Sequence, residues 1–277
     1  MELLSRDLNN LLHSYLGVVV YFEQGPGPNN RHILKNSIWL SENKDLVGLM
    51  AFTKWSIPKN SAFKYCSKLK YIIGIPPTLG TDISNMFFEA TSFNQPLDRW
   101  DVSNATNMSY MFDGATSFNQ QLGQWDVSSV KYMSYMFNRT TSFNQPLEKW
   151  NVSSVNNMSS MFDGATSFNQ PLEQWDVSSV KYMSGMFDGA TSFNQPLEKW
   201  DVSSVNNMSC MFYGATSFNQ PLDQWDVSNA TNMIEMFYGA TRFNSDISTW
   251  NVSSVKYMAG MFREATSLSK LPTWCNQ

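Results

Sequence analysis

The side chains best suited to catalysis are few and poorly placed for it. Only two histidines occur, His13 and His32, so everything after residue 40 lacks the side chain that titrates near neutral pH. The three cysteines, Cys66, Cys210 and Cys275, have neither the spacing of a zinc site nor the even count of a disulfide framework. The polar groups that do recur stand in register. Asp101, Asp126, Asp176, Asp201 and Asp226 form one column, completed by Asn151 and Asn251. Asp98, Glu148, Glu173, Glu198 and Asp223 form a second. Stacked carboxylates could bridge calcium between neighbouring copies. Asn at two places in the first column argues instead that each member caps its own turn, bonding the N–H groups of the following Ser-Ser pair. A reaction site needs one singular constellation, and groups repeated seven times do not supply it. No Ser-His-Asp set or phosphate loop stands out either. The expectation is a non-enzymatic protein with no catalytic residue, no cofactor and no metal.

These columns are created by a 25-residue repeat. Tryptophan recurs at Trp100, Trp125, Trp150, Trp175, Trp200, Trp225 and Trp250. A Met-Phe pair recurs from Met86 to Met261, and a phenylalanine column from Phe93 to Phe243 is continued by Leu268. A fixed period of this size is the mark of a solenoid, in which each unit stacks on the next. Phe63, Cys66 and Leu69 have the mutual spacing of Phe87, Ala90 and Phe93, so the array begins near residue 60 with a degenerate copy. It frays beyond Leu271 and Trp274.

Within one copy, Val130, Met133, Met136, Phe137 and Thr140 fall at the spacing of a helix face. Ser128 or Ser129 is placed to cap its start, and Gly114, Gly164, Gly189, Gly214 and Gly239 follow the Phe as a stop. The other half, 141–152, alternates in the manner of a strand, although Pro96, Pro146, Pro171, Pro196 and Pro221 cannot donate to a ladder. The predicted fold class is an α/β solenoid, a right-handed leucine-rich-repeat-like coil stack. Each repeat has one short helix or helical turn and one short extended strand. About nine coils would give a rod of roughly 40–45 Å. Fifteen of the seventeen methionines lie in two core columns, where they fill gaps between turns.

Asn94, Asn119, Asn144, Asn169, Asn194, Asn219 and Asn244 read as a structural ladder of buried amides bonding backbone groups and one another. Elsewhere the copies differ. Lys131-Tyr132 and Lys181-Tyr182 alternate with Asn156-Asn157 and Asn206-Asn207, a period of 50 that points to duplication in pairs. With Tyr110, Tyr135, Tyr213 and Tyr238, and with Asp113, Asp163 and Asp188, these positions mark where the surface changes. Lys131, Lys181 and the six tyrosines are therefore the candidate protein contacts.

Units such as GATSFNQPLEKWDVSSVNNMSCMF resemble the BspA-like leucine-rich-repeat proteins, from about Phe63 to Gln277. Those repeats occur in bacterial surface proteins, mycoplasma lipoproteins, protist surface proteins and proteins of large DNA viruses. The resemblance implies a leucine-rich-repeat solenoid that mediates protein–protein interaction or adhesion, and it brings no catalytic residues. One alternative is a structural or virion-associated assembly protein of a large DNA virus, self-associating through its C-terminal end by way of Met261 and Phe262.

Residues 1–60 read as a small α+β head capping the array, with 61–277 as the solenoid. An amphipathic helix is expected over 2–16 and a strand over 18–22. The opening MELLSRDLNNLLHSYL also faintly resembles an F-box helix, which would imply a substrate adaptor. Charge divides along the chain, with a net of +4 from Met1 to Thr81 and −8 from Asp82 to Gln277. An acidic body is not expected to bind nucleic acid. No apolar run approaches the roughly 20 residues of a membrane span. Neither a signal peptide nor an anchor is evident, which suggests an intracellular or virion location and a protein partner.

Overall fold

The computed structural model describes residues 18–22, 31–34, 43–51, 54–57 and 60–276. The expected helix over 2–16 lies outside them. At the N-terminal end, β1 (Val18–Phe22), β2 (Arg31–Leu34), β3 (Leu46–Ala51) and β5 (Tyr71–Gly74) form a sheet in the order β2-β1-β3-β5. β1 is antiparallel to β2 and β3, and β3 is parallel to β5. A second parallel pair joins β4 (Ser56–Ile57) to β6 (Thr78–Leu79). The chain from β3 to β4 thus lies alongside the chain from β5 to β6, about one repeat further on. It buries Leu46, Leu49, Ala51, Trp55 and Ile57 in one core with Phe63. Gly48 faces the Tyr71 ring, which leaves no room for a Cβ.

From residue 82 to 270, the described residues form tight turns joined by single parallel bridges, with neither a helix nor a laddered strand. The bridges run Asp82–Asn107–Tyr132–Asn157–Tyr182–Asn207–Asn232–Tyr257. Where a short helix or helical turn is predicted over 130–140, the backbone divides its donors between two tasks. The N–H groups of Met133, Tyr135, Phe137 and Arg139 donate to Asn157, Ser159, Met161 and Asp163 of the next copy, at 2.6–3.0 Å. Those of Met136, Asn138 and Thr140 donate back three residues, to Met133, Tyr135 and Phe137. An α-helix would send every N–H back four residues within its own segment. Here alternate donors are committed to a neighbour, so the segment becomes a chain of overlapping turns with the same inward spacing.

That division requires two left-handed residues per copy. Tyr135 and Arg139 have φ of 59° and 51°, Cys210 and Gly214 have 56° and 59°, and the other copies repeat the pair. Glycine takes the second position in five copies, which accounts for the sequence signal read as a helix stop.

The strand expected over 141–152 is likewise replaced. The N–H of Asn144 donates to Asn119 Oδ1 at 2.9 Å, so an amide side chain stands where a strand would offer a carbonyl. The same bond recurs at Asn119, Asn169, Asn194, Asn219 and Asn244. These asparagines are exposed or half-buried rather than buried, and each bonds the next one's backbone N–H rather than its side chain.

The core is a set of stacked columns. Phe112, Phe137, Phe162, Phe187 and Phe212 lie nearly parallel at 5.6–5.8 Å between centroids, an offset stack. From Trp125 to Trp250 each indole N–H reaches back to a carbonyl of the preceding copy, such as Trp175 Nε1 to Leu147 O at 2.9 Å. Trp274 extends the column by stacking on Trp250 at 6.5 Å and donating to Ile247 O. Thr140 takes an alanine's place in the core and donates its hydroxyl to Phe112 O at 2.8 Å.

In the last copy, Val252, Val255, Met258, Phe262 and Leu268 are only partly buried. The N–H groups of Met258, Gly260, Phe262 and Glu264 meet no acceptor among the described residues. Of the pair expected to be exposed there, Met261 is in fact buried and Phe262 half-buried.

Phe162→Ala should lower the unfolding free energy by about 3–5 kcal/mol, as for a large buried ring. Phe262→Ala, where the ring is only partly buried, should cost less; denaturant unfolding of the two variants checks the ordering.

Candidate interaction surface

The eight candidate contact residues fall on two separate stripes. Lys131, Tyr132, Lys181 and Tyr182 occupy the bridge column and the one beside it, and all four are exposed, the tyrosines at 45% and 44%. Their backbones are fixed by the bridges, with Lys181 N–H donating to Asn156 O at 2.9 Å. Two repeats separate the tyrosines, roughly 10 Å at sheet-like spacing. The flanking Asn157 and Asn207 turn inward, where Oδ1 accepts from the Ser159 and Ser209 N–H groups. Tall and short residues therefore alternate from Asn107 to Asn207.

The second stripe carries Tyr110, Tyr135, Tyr213 and Tyr238, all half-buried. Tyr110 and Tyr135 stack at 4.6 Å with 4° between planes, and Tyr213 and Tyr238 at 4.7 Å with 5°. They fill space on one another as much as they face outward. Beside the Tyr110–Tyr135 pair lies a charged hub that the sequence did not reveal. Arg139 Nη2 reaches Glu89 Oε1 at 3.0 Å and Asp113 Oδ1 at 2.9 Å, while Nε donates to Asn138 Oδ1 at 2.9 Å. The only signal was Arg139 standing where most copies have glycine. Its partners lie 50 and 26 residues away, and only the stacking brings them together.

Burial raises the Asp113 carboxyl above its ordinary value, with Arg139 opposing the shift, and it raises Asp163 likewise. Asp188 is pushed up to about 7, first by burial and then by the charges of Asp163 and Glu235. The Cys210 thiol beside it is pushed up to about 11 by burial and by Asp188 and Glu235, and burial pushes Cys66 up to about 12. Neither is a ready nucleophile, because the thiolate is the reactive form. The first acidic column is occupied locally: Asp126 Oδ1 accepts from Ser128 N and Oγ at 3.0 and 2.6 Å. Those bonds hold the Asp101, Asp126, Asp176 and Asp226 carboxyls below their usual range. Among the described residues, no three His, Cys, Asp or Glu side chains gather as a metal site, and no helix is long and apolar enough to cross a membrane.

The chain matches a family model described as a Mycoplasma protein of unknown function, DUF285, over residues 60–173, 146–236 and 192–275. The three overlapping matches follow the tandem repeats. No curated protein matches the chain.

Asp188 holds its proton to higher pH when folded than it would unfolded, where a carboxyl titrates near 4. Its contribution to stability therefore falls as pH rises from about 4 to about 7. Asp188→Asn should raise Tm at pH 8 by roughly 2–4 °C and change it little at pH 5, where the native carboxyl is already neutral. Thermal melts at the two pH values test this.

Proposed function

Because the chain belongs to the DUF285 family of Mycoplasma proteins of unknown function, a family defined here by its tandem repeats, we propose that it is a non-enzymatic interaction scaffold. Its repeats form a BspA-like, leucine-rich-repeat type right-handed solenoid that offers its outer stripes to a protein partner. The observation that carries this reading is the division between inside and outside. The inward Phe, Met and Trp columns are nearly identical from copy to copy and at most 7% exposed from Trp100 to Trp250. Most residues that differ between copies lie outside, and Lys131, Tyr132, Lys181 and Tyr182 are among the exposed ones. A rigid core with a varied exterior suits recognition, since aromatic anchors on an ordered backbone lose little entropy on binding.

A second reading, an assembly component that stacks end to end, is favoured by the unmatched N–H row and half-covered apolar residues of the last copy. Such an edge is a template for another chain. The F-box-like alternative rests on residues 1–16, which lie outside the described residues.

Cross-linking mass spectrometry in the native source separates the two. The scaffold reading expects links from Lys131 and Lys181 to one foreign protein, reduced at least tenfold when Tyr132 and Tyr182 are replaced by serine and both lysines are kept. Links confined to other copies of the chain, with mass rising with concentration in sedimentation, would favour assembly.

A further inference from the structure

Between Asp98 and Asp223 the second acidic column is interrupted at one position. Where Asp98, Glu148, Glu173, Glu198 and Asp223 stand in other copies, the Trp125 copy has Gly123, and Gln121 replaces the proline two residues before it. The interruption coincides with a cavity of about 140 Å³ whose lining includes Asp98, Trp125, Pro146, Glu148 and Lys149. A shallower depression of about 400 Å³, lined by Gln120, Gln121 and Gln145, adjoins it and shares Asp98.

Among the described residues, two charges at the notch lack a partner. In an intact part of the column, Lys199 Nζ pairs with Glu173 Oε1 of the preceding copy at 2.9 Å. The same offset of 26 residues takes Lys149 to Gly123, and Lys149 makes no ion pair among the described residues. Glu148 Oε2 is buried and has no hydrogen-bond partner. These two deficits are unequal. An exposed ammonium is well solvated and gains little from a surface pair. A buried carboxylate oxygen has given up its water and has no donor in return. The notch also holds two carboxylates to one ammonium, so its net charge is negative. The deficit that favours an occupant is therefore the one a cationic donor would fill.

We infer that this notch is a binding site for a guanidinium group, the arginine side chain of a protein partner. A guanidinium is planar, is always charged and offers five donors in a fixed fork, so a single group can serve both Glu148 and Asp98. Its aliphatic stem suits the Pro146 and Trp125 walls, and the glutamine-lined depression beside the notch offers amides to a peptide backbone. The site lies on a different stripe from the Lys-Tyr column, and it rests on the reading of the repeats as an interaction scaffold.

The test uses the full chain, labelled with ¹⁵N, titrated with N-acetyl-arginine amide. Saturable shifts are expected at the Gly123 amide and the Trp125 indole N–H. The neutral isostere N-acetyl-citrulline amide and the N-acetyl-lysine amide should bind at least tenfold more weakly. Glu148→Gln should weaken arginine binding at least tenfold, and Glu198→Gln, in the same column but not lining this notch, should not change it. Gly123→Glu, which refills the column, should abolish binding, and a melt confirms that this variant folds. Absence of shifts at Gly123 and Trp125 would overturn the proposal, as would equal binding of citrulline or lysine, or indifference to Glu148→Gln. So would a Lys149 resonance showing that its ammonium pairs with Glu148 in solution. Because the probe is a small molecule, its failure would leave the cross-linking test of the scaffold reading untouched.

Discussion

The structure depends on where alternate backbone N–H groups go. In every interior copy four donors, two residues apart, are given to the next copy, and the donors between them close turns of three residues. The remaining features follow from that division. The chain must pass through the left-handed region twice per repeat, at positions such as Tyr135 and Arg139. A non-glycine residue there costs of order 1 kcal/mol, and stacking on both sides holds it in place. The outward donors also fix the period, since a copy of 24 or 26 residues would put its carbonyls out of reach of them. The tryptophan and asparagine bonds run the other way, from each copy to the one before it. Neighbouring copies are therefore tied by bonds of both senses.

Much of this was legible in the sequence. The period, the inward columns and the degenerate copy near Phe63 all come from side chains that must be buried, and burial leaves a clear record in residue type. What misled was the spacing Val130, Met133, Met136, Phe137, Thr140. A helix and a run of stacked turns can present the same inward residues, and only the destination of the N–H groups separates them. Side chains carry no record of that destination. Asn144 shows the same difficulty: its conservation across copies in this one chain was evident, but whether it bonds an amide or a backbone N–H was not.

Surface arrangement was less legible for a different reason. The alternation of Lys131-Tyr132 with Asn156-Asn157 is a pattern along the chain, so the stripe of Lys131, Tyr132, Lys181 and Tyr182 could be read directly. The Arg139 hub depends on Glu89 and Asp113, which the stacking brings beside it. The burial that raises Asp188 comes from neighbouring turns and cannot be seen in its local sequence. Gly123 was visible as a missing acid, but its meaning came only with the pairing of Lys199 and Glu173, which shows what a column member does.

The bonding between copies also bears on how such a chain can change length. A donor meets an acceptor 24 residues on, and that acceptor's own copy repeats the arrangement. Removing or inserting one whole copy by recombination between near-identical coding segments would leave every such bond with an equivalent partner. Loss of a single residue would leave a whole row mismatched. The distance between any two surface residues is thus quantised, in steps of about 4.8 Å. Lineages can space their outer side chains like marks on a ruler, lengthening or shortening it a division at a time without redesigning the interior.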